Sequence, residues 1–324
     1  MFEQRKHLWG IILAGGEGKR LECFVTKQYG RDCPKQYCCF VGTRSMLRHT
    51  IDRAEQFISS EQLLTVVTKQ HDKCVQCQLS DRSAGTVIVQ PLLRETGPAI
   101  LYPLLHVDAR DDNATVAIFP SDHFVLEEDR FIKYVQQANS YLQKNPQTVI
   151  LLGVDPDAAE SEYGWIEPGK KVNVLDNYQL FHIRQFTEKP DLQHADTISR
   201  HSVLWNTMVV VGRVKVLLSF FRILTPHLYR AFERVKNLLN TVREEDIVQQ
   251  VYADLSSTNF STEILSRNPE GLKVLRMPDV YWNDWGRPER IQSDITRFLL
   301  KVSVDPYHAA GMYSGTTERM NFTN

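Results

Sequence analysis

The chain has 324 residues, of which 42% are hydrophobic and 24% are charged, and this composition excludes intrinsic disorder as a description of the whole chain. The formal net charge is -1, so no global field attracts nucleic acid or an anionic membrane, and we expect neither as a partner. No apolar run approaches the length of a membrane span and the first residues lack the layout of a signal peptide, so the cytoplasm is the expected location.

In the first half of the chain, short apolar strands alternate with amphipathic helices, a pattern that predicts a mostly parallel sheet covered on both faces. The predicted strands are 8–14, 63–68, 86–90, 114–119 and 148–154, and the predicted helices are 45–58, 68–79, 98–109 and 129–143. Pro98 falls in the first turn of its helix, where the missing N–H costs nothing.

The alternation is looser in the second half. The predicted strands there are 163–167, 179–186, 203–212 and 272–276, and the predicted helices are 214–222, 226–239, 244–255 and 287–300. No internal repeat or linker is evident, so we expect one domain over residues 1–302. The segment 303–324 is rich in Gly, Ser, Thr and Asn and is predicted to be a poorly ordered tail.

Six cysteines lie between residues 23 and 77, and Cys74 and Cys77 form a C-x-x-C pair. Such a pair can be half of a zinc site or a redox pair, but no second pair of Cys or His follows at zinc-site spacing. The interpretation we favour is reduced, structural thiols.

The connection after the first strand carries the first sign of chemistry. The strand ends at Leu13 and Ala14, and the segment 15–21 that follows reads GGEGKRL. Glycines at a strand end let the backbone turn tightly and direct several N–H groups toward one anion. The P-loop pattern fails because Lys19 is followed by Arg20 rather than Ser or Thr, and the dinucleotide pattern G-x-G-x-x-G is absent.

Further blocks follow in a fixed order. They are P-K-Q at 34–36, P-S-D-H at 120–123, Y-G-W-I-E at 163–167, F-T-E-K-P at 186–190, W-N-T at 205–207 and W-N-D-W-G at 282–286. Taken singly, each has a plain structural explanation, such as a helix cap for Asp122 or a charged strand end for the Glu188–Lys189 pair. Together with L-A-G-G-x-G-x-R-L, the set resembles the sugar-1-phosphate nucleotidylyltransferases. The segment 90–100 resembles their mannose-1-phosphate guanylyltransferase subgroup.

The resemblance implies a Rossmann-like, three-layer α/β nucleotidyltransferase fold with a mostly parallel mixed sheet, and makes residues 1–302 the catalytic domain. It implies catalytic roles for Arg20, Lys35, Asp122 and Lys189. It implies nucleotide binding by Leu13, Ala14, Gly15, Gly16, Gly18, Gln90, Glu95, Thr96 and Gly97. It implies sugar-phosphate binding by Gly164, Glu188, Lys189 and Asn206. The implied cofactor is Mg²⁺, with Asp122 and Asp284 as its ligands.

The sequence departs from the family pattern at four informative positions. Gln90 stands where the subgroup has glutamate and Glu95 where it has asparagine, in the segment expected to read the base. Guanine presents N–H donors, so Glu95 would supply the carboxylate acceptor that position 90 lacks. Lys19 replaces a threonine, and Met208 replaces a glycine, which would narrow the sugar pocket.

The implied reaction joins a nucleoside triphosphate to a sugar 1-phosphate with release of pyrophosphate, GTP and mannose 1-phosphate being the expected pair. The same reaction with UTP or dTTP and glucose 1-phosphate stays open, as does a catalytically silent homologue that senses nucleotide sugars. A glycosyltransferase would require an Asp-x-Asp motif after the fourth strand, which Asp122-His123-Phe124 lacks. We expect no β-helix or isomerase domain after the last predicted helix, and a homodimer stays open.

Overall fold

A nine-stranded mixed sheet is the centre of the computed structural model, which describes residues 7–29, 33–172 and 178–300. In chain order the strands are β1 (Leu8–Leu13), β2 (Leu63–Thr68), β3 (Val87–Gln90), β4 (Thr115–Pro120), β5 (Phe124–Val125), β6 (Val149–Val154), β7 (Gly164–Lys171), β8 (Gln179–Glu188), β9 (Leu204–Arg213), β10 (Leu272–Arg276) and β11 (Trp282–Asn283). The order across the sheet is β3-β2-β1-β4-β9-β6-β10-β8-β7, while β5 and β11 pair separately.

Most strands of this sheet share one direction. β3, β2, β1 and β4 are parallel, β10 is parallel to β6, and the strands that run against them are β8 and β9. The ends of β1 and β4 are in register, with Leu13 opposite Pro120, and Thr68 of β2 lies opposite Gln90 of β3. The connections that follow these strands therefore open along one edge of the sheet, where ligands bind in α/β proteins.

Helices cover both faces of the sheet. In chain order they are α1 (Glu22–Tyr29), α2 (Met46–Glu55), α3 (Asp72–Leu79), α4 (Thr96–Arg110), α5 (Glu128–Lys144), α6 (Leu192–Ser199), α7 (Val214–Leu224), α8 (Pro226–Lys236), α9 (Glu244–Asp254) and α10 (Pro288–Arg297). Ile12 packs with α2 and α5 on one face, while Ile11 packs with α4 and α7 to α9 on the other. Alternate residues of β1 thus pack into two different hydrophobic cores, as expected of a strand buried on both faces.

The three-layer α/β prediction is confirmed, and the predicted elements agree with the observed ones to within a few residues. Sequence reasoning missed α1, α6 and the β5–β11 pair. Pro98 does lie in the first turn of α4, which begins two residues earlier than predicted. The predicted tail lies outside the described residues, so the boundary at residue 302 stays a prediction.

The helix boundaries follow from local chemistry. Ser45 caps α2 by accepting a hydrogen bond from the amide of Arg48 at 3.2 Å, and its hydroxyl donates to Oε1 of Gln78 at 2.5 Å. Pro226 and Pro288 stand at the first positions of α8 and α10, where proline is favoured. Within the described ranges, no helix is both long and apolar enough to cross a membrane.

Candidate active site

The glycine-rich connection after β1 is fixed through its carbonyl groups. Nε2 of Gln36 donates to the carbonyl oxygens of Ala14 and Gly16, at 2.9 and 2.7 Å. The Thr68 hydroxyl donates to the carbonyl of Gly15 at 2.9 Å. The side chain of Gln36, in the P-K-Q block, therefore holds this loop in one conformation.

Gly18 lets the loop approach the P-K-Q segment closely. Its φ is 68°, and a Cβ at this position would lie 2.8 Å from the backbone nitrogen of Lys35. A side chain would thus meet both a backbone clash and an unfavourable conformation. The contact brings Lys35 beside the predicted phosphate-binding loop.

Lys35 joins the two predicted metal ligands. Its side chain is almost fully buried, and Nζ donates to Oδ2 of Asp122 at 3.0 Å and to the backbone carbonyl of Asp284. Residues from three distant parts of the chain therefore meet at one ammonium group. The long aliphatic stem of lysine lets the charge reach this point from a buried backbone.

The surroundings of Asp122 favour its charged form. Burial alone would raise the pKa of this carboxyl, but the interactions that favour the carboxylate, of which the Lys35 charge is the largest, together outweigh burial and lower the pKa. Burial lowers the pKa of the neighbouring His123 to about 4, so this imidazole is neutral at pH 7. Trp282 donates its indole N–H to Nδ1 of His123 at 3.2 Å, which places the imidazole proton on Nε2.

Asp284 accepts several hydrogen bonds. Its Oδ1 accepts from the Tyr163 hydroxyl at 2.9 Å, from the amide of Gly286 at 2.8 Å and from the guanidinium of Arg290. Burial alone would raise the pKa of Asp284, but the charges of Lys35 and Arg290 hold it well below the ordinary value. The carboxylate is therefore ionised throughout the physiological range.

An ion-pair cluster borders these residues. Arg20 lies 2.8 Å from Oε2 of Glu162 and 3.4 Å from Oδ2 of Asp284. Arg287 pairs with Glu162 at 3.0 Å, and Arg290 pairs with Glu160. Arg20, the predicted triphosphate contact, is thus held by carboxylates of the protein itself.

Some of these groups line a cavity of about 300 Å³. It is lined by Glu17, Gly18, Lys19, Arg20, Leu21, Lys35, Asp122 and Gly286. A larger cavity, of about 780 Å³, lies between the edge of β2 and β3 and the helix α9, away from Lys35 and the two aspartates. We assign the candidate active site to the smaller cavity, because Arg20, Lys35 and Asp122 line it and the backbone carbonyl of Asp284 accepts from Lys35.

The predicted sugar-binding residues also lie together. A Cβ on Gly164 would be 2.8 Å from Oε2 of Glu188 and 3.4 Å from Cβ of Asn206, so only glycine leaves this space open. Burial raises the pKa of Glu188, against the opposing charge of Lys189. Tyr163, the residue before Gly164, donates its hydroxyl to Asp284. This bond links the predicted sugar-binding residues to a predicted metal ligand.

Met208 stands where the family pattern has glycine, and its backbone conformation is one that favours glycine. Its φ is 57°, in the left-handed region that residues with a Cβ seldom occupy. Its amide donates to Oδ1 of Asn206 at 3.2 Å, and its sulfur lies 3.2 Å from the hydroxyl of Ser261. Met208 therefore bonds to the predicted sugar-binding residue Asn206 through its backbone, while its thioether contacts Ser261.

Lys189 is placed differently from Lys35. Its Nζ lies 3.8 Å from Oε1 of Glu188, and its side chain is 58% exposed. The backbone of Lys189 has a φ of 44° and donates to the carbonyl of Tyr163 at 3.1 Å. The ammonium group is therefore able to reach a ligand that arrives from solvent.

Gln90 offers one hydrogen-bond donor toward the glycine-rich loop. The side chain is fully buried, Oε1 accepts from the Tyr252 hydroxyl at 3.0 Å, and Nε2 has no partner among the described residues. A Cβ on Gly15 would lie 2.9 Å from Nε2. The amide orientation follows from hydrogen-bond satisfaction, because the buried Tyr252 hydroxyl needs an acceptor for its proton.

The other predicted base-reading residues are tied to the segment that follows α9. The amide of Gly97 donates to the carbonyl of Thr258 at 2.7 Å, and the Thr96 hydroxyl accepts from the amide of Phe260 at 2.8 Å. Glu95 has a φ of 67° and is exposed. Its carboxylate is thus open to solvent, whereas the neighbouring residues Thr96 and Gly97 are hydrogen-bonded within the protein.

The predicted ligands fit a magnesium ion. Mg²⁺ in phosphate-transfer sites is usually held by one or two carboxylates, with phosphate oxygens and water completing its shell. Asp122 and Asp284 supply two ionised carboxylates beside one lysine. The described residues contain no group of three or more His, Cys, Asp or Glu able to hold a metal on its own. The donor set therefore suits a cation that arrives with the triphosphate.

Several residues of the site were missed by sequence reasoning. They are Gln36, Glu160, Glu162, Arg290 and Asp294. Gln36 was inside a quoted motif but had no role assigned. Arg290 and Asp294 are four residues apart on α10 and so lie on the same face of the helix. This spacing, directly after the W-N-D-W-G motif, is the sequence signal that could have identified them.

Known proteins are similar to this chain over most of its length. A family model described as nucleotidyl transferase matches residues 9–299. A mannose-1-phosphate guanylyltransferase of Salmonella montevideo is 30% identical over 226 residues, which are 68% of this chain and 46% of that protein. One of Escherichia coli is 25% identical over 285 residues, which are 85% of this chain and 59% of that protein. The chain thus spans about half the length of the curated relatives it matches.

Solved structures show the same fold at lower identity. A structure described as a mannose-1-phosphate geranyltransferase from Thermus thermophilus has a TM-score of 0.74 at 21% identity, covering 89% of this chain and 79% of that one. The inositol-1-phosphate CTP transferase from T. maritima has a TM-score of 0.51 at 12% identity, covering 90% and 96%. At these identities the likeness shows the fold alone.

Proposed function

Because the chain belongs to the nucleotidyl transferase family, we propose that it transfers a nucleotidyl group from a nucleoside triphosphate to a hexose 1-phosphate. The observation that carries this proposal is the meeting of Lys35 with Asp122 and Asp284 beside the glycine-rich loop. A phosphate oxygen of the sugar phosphate attacks the α-phosphorus in line, and pyrophosphate leaves. The protein supplies positioning and charge neutralisation, and no covalent intermediate is needed.

Each group then has a distinct task. Lys35 neutralises negative charge that grows at the α-phosphate, and Arg20 exchanges its contact with Glu162 for one with the triphosphate. Lys189 holds the attacking phosphate, while Glu188 and Asn206 bind sugar hydroxyls. The chemistry that Mg²⁺ supplies when bound is neutralisation of phosphate charge, and Asp122 and Asp284 would hold it.

For the substrates, we propose GTP and mannose 1-phosphate. The names of the relatives and the resemblance of segment 90–100 support this pair. The donor at Nε2 of Gln90 suits a base that presents a carbonyl acceptor, and guanine has one at O6. Glu95, exposed on the same segment, would accept from the guanine N–H groups.

UTP or dTTP is the second candidate, and Gln90 is also the observation that favours it. Uracil and thymine carry a carbonyl at position 4, which accepts from the same amide donor. Adenine and cytosine carry an amino group where guanine, uracil and thymine carry this carbonyl. That amino group and Nε2 of Gln90 are both donors, so neither would find an acceptor and their N–H groups would be buried without partners. We therefore expect ATP and CTP to be the poorest substrates.

A pyrophosphate-release screen tests the proposal. GTP, UTP, dTTP, CTP and ATP are each combined with mannose 1-phosphate and glucose 1-phosphate, with and without Mg²⁺. We expect the highest kcat/KM, dependent on Mg²⁺, for GTP with mannose 1-phosphate, and loss of turnover in Asp122→Ala. A far better pair would overturn the substrate assignment alone. Absence of turnover with every pair, combined with binding of nucleotide sugars, would instead identify a catalytically silent sensor.

A further inference from the structure

The loop that carries Asp284 is built on one buried carboxylate of the last described helix. Asp294 of α10 is 2% exposed. Its Oδ1 accepts from the Tyr281 hydroxyl at 2.6 Å, and its Oδ2 accepts from Nδ2 of Asn283 at 3.0 Å and Nε1 of Trp285 at 2.7 Å. The residues on both sides of Asp284 are therefore bonded to the same side chain.

Trp285 occupies a backbone conformation that local preference does not favour. Its φ is 45°, in the left-handed region that disfavours residues with a Cβ. Such a conformation persists where the surroundings over-determine it. Here the ring stacks on Phe124, with centroids 4.5 Å apart and planes 6° from parallel, and its N–H bonds to Asp294.

This turn determines how Asp284 faces Lys35. The Asp284 carbonyl faces Nζ of Lys35, and the amide of Gly286 donates to Oδ1 of Asp284 at 2.8 Å. Both groups belong to the peptide units that flank Trp285. If the backbone at Trp285 relaxed, the Asp284 carbonyl and carboxylate would both change direction.

We infer that Asp294 is a positioning residue that holds the Asp284 loop in its metal-binding conformation. This rests on the proposed function, in which Asp284 is a magnesium ligand. Arg290, one turn earlier on α10, contacts the Asp284 carboxylate directly. One helix thus contacts the loop at two places, through Arg290 at the carboxylate and through Asp294 at the residues that flank it.

The most selective test is Trp285→Phe, which keeps the aromatic ring and removes the donor to Asp294. We expect kcat to fall about tenfold or more, as for other small displacements of catalytic groups. Mn²⁺, used as a spectroscopic substitute for Mg²⁺ and measured by water-proton relaxation with nucleotide present, should bind correspondingly more weakly. KM for the sugar phosphate should stay within about twofold of wild type, because the substitution does not touch the residues predicted to bind the sugar phosphate.

Tyr134→Phe is the matched control. The Tyr134 hydroxyl donates to Oδ1 of Asp279 at 2.5 Å, so this variant also loses one hydrogen bond to a carboxylate, outside the Asp284 loop. Its Mn²⁺ affinity and kcat should equal those of the wild type even if its stability falls equally. Asp294→Asn should retain most activity, since one oxygen still accepts from Trp285 while its amide donates to the Tyr281 hydroxyl. Asp294→Ala should lose activity and Mn²⁺ binding together.

The two readouts separate failure of the inference from failure of the proposed function. Unchanged Mn²⁺ binding in Trp285→Phe and Asp294→Ala would overturn the positioning role, as would equal losses in Tyr134→Phe. Absence of Mn²⁺ binding in the wild type would overturn it too, because Asp284 would then not be a metal ligand. If the wild type binds Mn²⁺ but no substrate pair reacts, the proposed function fails, and the affinities of the variants still decide the role of Asp294.

Discussion

Lys35 and Lys189 carry the same charge in different settings. Lys35 is almost fully buried between two carboxylate-bearing segments, whereas Lys189 is 58% exposed beside Glu188. A buried ammonium that neutralises charge near the reacting phosphorus acts on the transition state, while an exposed one acts mainly on capture of a substrate phosphate. The two side chains should therefore affect different kinetic parameters.

We expect Lys35→Ala to lower kcat, and Lys189→Ala to raise KM for the sugar phosphate. A charge-assisted contact to phosphate contributes about 1.5–3 kcal/mol, so each parameter should change roughly ten- to a hundredfold. Steady-state kinetics with each substrate varied in turn measures both effects. Lys215→Ala, which removes an exposed lysine paired with Asp112 at 2.7 Å, is the control and should behave as wild type. Wild-type kinetics for Lys35→Ala would remove this lysine from the reaction.

Single residues also show where prediction from sequence reaches its limit. The motif residues Lys35, Asp122 and Asp284 lie together in the structure, and their roles in the reaction stay predictions. The partner Glu162 was not predictable, since a charged residue is specific only once its neighbour in space is known, and helical spacing was the one signal for Arg290. Met208 is intermediate: its departure from the family glycine was visible in the sequence, whereas its positive φ was not.

Between elements, α9 is joined to α4 through the carboxylate of Glu244. This carboxylate accepts from the Tyr102 hydroxyl at 2.6 Å, and its Oε1 lies 2.8 Å from Nε2 of His106. Burial alone would raise the pKa of Glu244, but its close contacts with His106 and Tyr102 lower it to about 2. The folded protein therefore binds a proton at Glu244 less readily than the unfolded chain does.

The sign of the pH effect follows from this difference. The stabilisation by Glu244 is fully present above about pH 4.5, the ordinary pKa of Glu, and is lost as the pH falls toward 2. We expect Glu244→Gln to lower the free energy of unfolding by about 1–2 kcal/mol at pH 7, a value reduced for partial solvent screening. The variant should also lack the corresponding loss of stability in acid.

Urea unfolding at pH 7 and across pH 5 to 3 measures both effects. Glu245→Gln is the matched control, because that neighbouring side chain is 76% exposed and pairs with Lys69 at 3.4 Å. It should change stability by less than about 0.5 kcal/mol. Equal unfolding curves for the two variants would contradict the role of Glu244.

The predictability of an element depended on how it buries its surface. Helices with a continuous apolar stripe, such as α2 and α5, were predicted because their periodicity is visible in the sequence. In α1, Val25 is fully buried while Thr26 and Lys27 are exposed, so residues 22–27 show no continuous apolar stripe to be recognised. The β5–β11 pair has two residues in each strand and joins segments over 150 residues apart, a distance that local pattern does not span.

Across the whole molecule, the hydrophobic cores lie on the two faces of the sheet, and the site lies at its edge. The charges of Asp122 and Asp284 are already balanced by Lys35, Arg20 and Arg290. Because the fold does not require a metal to neutralise them, stability and activity should respond differently to metal removal.

Chelation with EDTA is therefore expected to abolish pyrophosphate release but to change Tm by less than about 2 °C, corresponding to under about 1 kcal/mol for a chain of this size. Magnesium with GTP at a hundred times its Kd should add about 2.7 kcal/mol of stability through binding to the folded state alone. Calorimetry with each addition measures both. Unfolding on chelation would mean that the metal is part of the scaffold.

The strand order has a consequence for how the chain is made. β9 lies between β4 and β6, so β4 exposes an unpaired edge on the ribosome until residues 204–213 have been synthesised. Asp284 follows later still, and Arg290, which contacts it, comes after that. A nascent chain can thus form the parallel half-sheet with its glycine-rich loop early, yet it has no complete site until nearly all described residues have emerged.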